Sequence, residues 1–295
     1  MEKAILKTLI YSDQFDYPLK AWEIHRWLIK EKCPLGGLEE NLKKLISQKK
    51  IETKSGFYFL KGRQSIVAGR KRKVGTSEQL VKKAVFVSKL FKLIPWIQLV
   101  GVCGGLALNN VTKRDNINLI IITSKNRLWL TRLLCLSFLE ILGLRKKAND
   151  LKTATAGKIS LNMVLSADHM QLPEKDIFTA HETLQTKVIW QKGRTYEKFL
   201  QSNLWALEFF PNWISNVKNE PVDKLMQKVV SKVDNFWGVF DKLEAYARDL
   251  QKRVSLKLSD LKPGSDCALF LYSNERRVLF LKSYQSRLKR ARLSD

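Results

Sequence analysis

Gly104 and Gly105 follow the apolar run Ile97 to Val102, and Asn116 and Asn118 stand just ahead of the next, Leu119 to Ile122. A glycine pair at the end of a strand permits a sharp turn into a helix, where backbone N–H groups can approach a phosphate closely. Residues separated by one in a strand project from the same face, so Asn116 and Asn118 are expected to point together toward that turn. Asparagine offers a carbonyl oxygen but no charge, which suits a weak nucleotide contact or a polar edge better than a divalent cation. Arg127 and Arg132 are candidate phosphate ligands; the alternative is exposure or pairing with acids. The run Arg70, Lys71, Arg72 and Lys73 is a candidate nucleic-acid contact or a solvated stretch. No metal ligand set is assigned. Asp115 has the wrong strand parity, and Asp168 lies beyond the third strand expected over Ile159 to Leu165. His181 and Glu182, within FTAHETLQ, are expected on a surface helix.

The elements that must position these residues are legible as hydrophobic periods. Ile5, Leu6 and Leu9, then Ile24, Trp27 and Leu28, then Leu38, Leu42, Leu45 and Ile46 form three short helical stripes. Ile51 to Leu60 follows as two strands turning at Ser55 and Gly56. Three helices and a hairpin resemble a winged-helix domain over residues 1–62, although Glu39 and Glu40 on the third helix have the wrong sign to face phosphates. A protein-contact role for this unit is an equal alternative. Residues 63–75 read as a basic linker, and Thr76 with Gln79 has capping-box spacing for a helix that stops at Pro95. Residues 76–190 then alternate strands and helices, while 191–295 read as a largely helical region with a last strand near Ala268 and a basic terminal helix. The class is α+β.

The stretch VGVCGGLALNNVTKRDNINLIIIT, residues 100–123, resembles the signature of polymerase beta-like nucleotidyltransferases. In that family a strand ends in Gly-Gly or Gly-Ser, a helix begins, and the next strand carries Asp-x-Asp. The helical unit ahead of it, GFYFLKGR at 56–63 and NRLWLTR at 126–132 are similar to a group of bacterial nucleotidyltransferase-domain proteins, so the resemblance covers most of the chain. It implies a nucleotidyltransferase-like mixed sheet with helices. An active member would use Mg2+ and a nucleoside triphosphate, two aspartates holding the metal ions and a third carboxylate standing on a neighbouring strand. Here those positions are Asn116 and Asn118, the common serine is Gly105, and the third-strand face presents Lys158, Ser160 and Asn162. Unit charges ~4 Å apart interact by ~4 kcal/mol at an effective dielectric of ~20, so the loss of two carboxylates is a large change. The resemblance therefore implies a catalytically impaired descendant that binds nucleotide or nucleic-acid phosphate. The alternatives are an active metal-dependent enzyme recruiting Asp115, Asp168 or another acid, and a winged-helix nucleic-acid-binding regulator.

Composition bounds these readings. The 295 residues carry 53 Lys and Arg against 28 Asp and Glu, a formal charge of +25 that favours polyanionic partners. Residues 1–95 hold 21 basic and 9 acidic side chains, so the excess is greatest there. Leu128 to Leu144 is the most apolar segment, but Arg132 and Glu140 interrupt it, and a buried helix is expected rather than a membrane span. The opening MEKAILKTLI lacks the apolar core of a secretory signal, and a cytoplasmic location is expected. Four widely spaced cysteines and three histidines match no zinc pattern and read as reduced, mostly buried groups.

Overall fold

The computed structural model describes residues 1–147, 150, 155–213, 237–256, 267–270 and 274–293. Helices α1 (Glu2–Asp13), α2 (Ala21–Arg26) and α3 (Leu35–Ser47) precede the hairpin of β1 (Ile51–Lys54) and β2 (Phe57–Leu60). The three stripes meet as one core in which Ile5, Leu9, Ile24, Leu28, Leu38, Leu42, Leu45 and Ile51 are buried. Ser55 and Gly56 both adopt positive φ, the conformation a two-residue hairpin turn requires. Leu19 bridges to Tyr58 and adds a short third segment to the hairpin.

The expected linker is absent. Residues 65–91 form one helix, α4 (Ser65–Phe91), so the basic run lies inside it and Thr76 and Gln79 cap nothing. Arg and Lys are good helix formers, and tertiary contacts hold the first turns: Ile66 and Val67 pack with Phe57 and Phe59 of the hairpin. The helix thus runs unbroken from the hairpin to the second unit.

That unit is a five-stranded sheet of β3 (Ile97–Cys103), β4 (Ile117–Thr123), β5 (Ile159–Ser166), β6 (Lys187–Gln191) and β7 (Ala268–Phe270), in the order β6-β3-β4-β5-β7. Only β4 and β5 run parallel, and α5 (Leu128–Ile141) lies between them in the chain, as a parallel crossover needs. Near-continuous apolar strands such as INLIIIT and ISLNMVLS reflect burial on both sheet faces. On one face Val87 and Phe91 of α4, Cys135 and Leu139 of α5, and Ala247 of α8 (Trp237–Leu256) pack with Val100, Leu119 and Ile121. On the other, Phe199 of α7 (Thr195–Ser202) packs with Leu99, Ile120 and Leu165. Helix α6 (Ile177–Gln185) and α9 (Asn274–Arg290) pack around α1: Phe280 and Tyr284 of α9 meet Tyr11, and Ala180 of α6 joins the same cluster.

The region read as helical from residue 191 therefore supplies an edge strand to the sheet, a cover for α5 and a helix against α1. Of this region, residues 214–236, 257–266, 271–273 and 294–295 lie outside the described residues. Among the described residues no helix is long and apolar enough to cross a membrane. Cys103 and Cys135 are buried, Cys33 and Cys267 half-buried, and none of the four is joined in a disulfide.

Candidate functional site

Antiparallel pairing of β3 with β4 sets Cys103 opposite Asn118, and parallel pairing with β5 sets Ser160 on its other side. The chain turns at Gly104, whose φ is +67°, and a Cβ there would stand 3.2 Å from Asn118 Nδ2. A Cβ on Gly105 would stand 3.0 Å from the Asn110 carbonyl oxygen. Gly104 thus answers to its positive φ and Gly105 to its approach to the Asn110 backbone, and positions 116 and 118 do face the turn as strand parity predicts.

What they present there is a closed polar set. Asn116 Nδ2 donates to Asn118 Oδ1 at 2.6 Å, and Asn162 Nδ2 reaches Cys103 Sγ at 3.5 Å. Lys158 pairs with Asp150 at 3.1 Å. The Gly104 N–H donates to Glu182 Oε2 at 3.1 Å. This carboxylate comes from α6, and the expectation of a surface position for His181 and Glu182 is overturned: α6 is clasped between α1, α9 and Phe210, which buries His181 and most of Glu182. Burial pushes the Glu182 carboxyl up to about 7, against the opposing hydrogen bonds from Gly104 and Gln185. Burial pushes His181 down to about 3, and its ring lies 4.0 Å from Trp27 and 4.9 Å from Tyr11, centroid to centroid. Burial also raises the Cys103 thiol, with the Glu182 charge adding to the shift, so Cys103 is no thiolate nucleophile.

Glu182 is the carboxylate at the glycine turn that sequence reasoning missed as a site residue. The other acids are held elsewhere. Asp115 accepts from Thr112 N at 2.7 Å and Thr112 Oγ1 at 2.9 Å, which ties its loop. Asp168 accepts from Ser166 Oγ, with His169 at 3.2 Å, beyond the opposite end of β5. From the level of Asn118 to that of Thr123 is already about 17 Å at about 3.3 Å per residue. Among the described residues no group of three His, Cys, Asp or Glu is placed to hold a metal ion.

The expected phosphate-binding arginines belong to helix packing. Arg127 is 2% exposed and its Nη1 pairs with Asp241 of α8 at 2.6 Å. Arg132 Nη1 donates to Gln251 of α8, and burial pushes its guanidinium down to about 10. Glu244 of α8 accepts from the Trp129 and Leu130 N–H groups at 2.8 and 2.9 Å, capping the exposed donors of the first turn of α5. Both arginines therefore face α8 rather than Gly104.

The basic run divides by helical phase. Arg70 Nη2 pairs with Glu23 at 2.8 Å and its guanidinium lies 3.5 Å over the Tyr17 ring, while Lys73 Nζ donates to Asn110 at 2.8 Å. Burial pushes Glu23 up to about 7 and Arg70 down to about 10. These two positions make interior contacts, whereas Lys71 and Arg72 are exposed. At about 100° per residue Lys71, Lys82 and Lys89 fall within about 20° of one line along α4, and all three are exposed. No protein-family model, no curated protein and no solved structure matches this chain.

Proposed function

We propose that the chain is a nucleotidyltransferase-like protein that performs no metal-dependent transfer and binds nucleic-acid phosphate through the exposed cations of α4. The observation that carries the first half is the hydrogen bond between Asn116 and Asn118 at the turn, where the resemblance calls for two ionised carboxylates. A divalent ion would meet uncharged amides there, and the Gly104 N–H already has an acceptor in Glu182. The second half is supported by the +25 charge and by the line of Lys71, Lys82 and Lys89, with Glu78 the one acid among residues 65–91. The winged-helix reading of residues 1–62 is part of the proposal as a scaffold for α4.

Two measurements test it together. Labelled nucleoside triphosphates with Mg2+ or Mn2+ and RNA should give no labelled product. Binding of single-stranded RNA should weaken linearly in log affinity against log salt, and replacing Lys71, Arg72, Lys82 and Lys89 by Ala should lower that slope by about 0.7 for each phosphate the variant no longer neutralises. Product that disappears on adding chelator, or a slope unchanged by the fourfold replacement, refutes the proposal.

A further inference from the structure

Between the three-helix unit and the glycine turn lies a cavity of about 50 Å³, lined by Tyr11, Phe15, Trp27, Phe210, Glu182 and Gln185 among others. Of the lining residues, Phe15, 37% exposed, and Gly105 reach the surface. Gln185 is 7% exposed. Its Nε2 donates to Glu182 Oε1 at 2.5 Å, while its Oε1 makes no hydrogen bond of ordinary geometry among the described residues, although the Gln185 side chain also acts on the His181 ring. A buried amide oxygen left in this state costs roughly 1–3 kcal/mol, which a donor entering the cavity would recover. The Glu182 carboxylate accepts one N–H on each oxygen, from Gly104 and Gln185, and an ionised carboxylate has room for about four. Spare acceptor capacity thus stands on Glu182 and Gln185, with the Tyr11 hydroxyl in the same lining.

We propose that this cavity binds a guanidinium group. Three observations select that chemistry. Aromatic rings on the walls attract a cation where a face is left open beside His181, which lies on Trp27 and Tyr11, and Arg26, which already lies over the Trp27 ring. The two acceptors, Glu182 and Gln185 Oε1, suit a planar fork of N–H donors better than a single ammonium point charge. Size decides the rest: at about 10–15 Å³ for each water-sized group the cavity holds roughly four such groups, the bulk of a guanidinium and too little for a nucleobase. His181 beside the cavity is uncharged at neutral pH, because burial and the Arg26 cation hold it down against a hydrogen bond with Gln185, so the repulsion a bound cation meets comes from Arg26 and not from His181. Arg276 acts on Glu182 from α9 in the direction that keeps the carboxylate ionised.

Calorimetric titration of the whole protein with methylguanidinium chloride tests the assignment, with urea as the neutral group of the same shape. Saturable binding at least tenfold tighter for methylguanidinium is expected. Gln185→Leu and Glu182→Gln should each weaken it about tenfold or more while the melting temperature without ligand reports that the fold is kept. Should Glu182→Gln fail to fold, Gln185→Leu decides alone. Absence of saturable binding, equal binding of urea, or undiminished affinity in Gln185→Leu overturns the proposal. A Gly-Arg-Gly peptide separates the two sources of the group: binding equal to methylguanidinium assigns the cavity to an arginine of a partner chain, and binding of the free compound alone assigns it to a small molecule. RNA binding at α4 is measured independently, so failure of either leaves the other standing.

Discussion

Replacement of Glu182 by Gln isolates the energetic effect of placing a carboxyl under α1 at the glycine turn. The carboxyl titrates near 7 in the folded protein against 4.5 when exposed. Between those values the folded state holds a proton that the unfolded chain has released, so raising the pH favours unfolding. The contribution is present in full below pH 4.5 and is lost as pH rises to 7. The difference of about 2.5 pH units at ~1.36 kcal/mol each gives about 3 kcal/mol. Gln keeps the shape and an oxygen for the Gly104 N–H but does not titrate. The stability of Glu182→Gln relative to the unmodified chain should therefore rise by about 3 kcal/mol from pH 4 to pH 8, with Glu23 and His181 common to both and cancelling. Urea unfolding followed by tryptophan fluorescence at several pH values gives both curves. A stability difference that stays constant across the range would refute the burial argument.

The double change Asn116→Asp and Asn118→Asp should lower the melting temperature without metal through repulsion of adjacent carboxylates, and Mg2+ or Mn2+ should restore it by binding only the folded state, while the unmodified protein shows little metal response; a thermal melt with and without the ions decides. Arg70→Ala should destabilise by roughly 1–3 kcal/mol, because Glu23 loses its ion pair and keeps only the Tyr17 hydroxyl and the Lys20 N–H, whereas Lys71→Ala and Arg72→Ala should change denaturant midpoints little and RNA affinity measurably. Glu244→Ala should cost roughly 1–3 kcal/mol in urea unfolding by freeing two N–H groups at the start of α5.

Helices α1 to α3, the hairpin and the central strands are legible in the sequence because their signals are local: apolar residues at helical or alternating spacing, and a Ser-Gly turn. Strand parity likewise locates Asn116 and Asn118 against the glycine turn. The misread site residues all have partners distant in the chain. The charge run at 70–73 reads as solvated until Tyr17 and Glu23, some fifty residues earlier, are seen to receive Arg70. Glu182 reads as a surface acid because nothing near it in sequence announces that Gly104 will donate to it from 78 positions away. Arg127 and Arg132 carry a pattern equally suited to phosphate and to helix packing, and α8, more than a hundred residues later, decides between them.

The unbroken course of α4 has a mechanical consequence. Its 27 residues span about 40 Å at about 1.5 Å each. Arg70 and Lys73 fasten one half to the three-helix unit and its neighbouring loop, Lys83 Nζ holds the Gly157 carbonyl at 2.6 Å farther along, and Phe91 is buried under the sheet. A rod clamped at both ends does not act as a hinge. Reorienting the hairpin relative to the strands by ten degrees would swing the far end of such a lever by about 7 Å over that ~40 Å length, and the clamps would have to break first. A proline placed between the clamps, near Val74, would supply the missing joint by removing a hydrogen bond and kinking the rod.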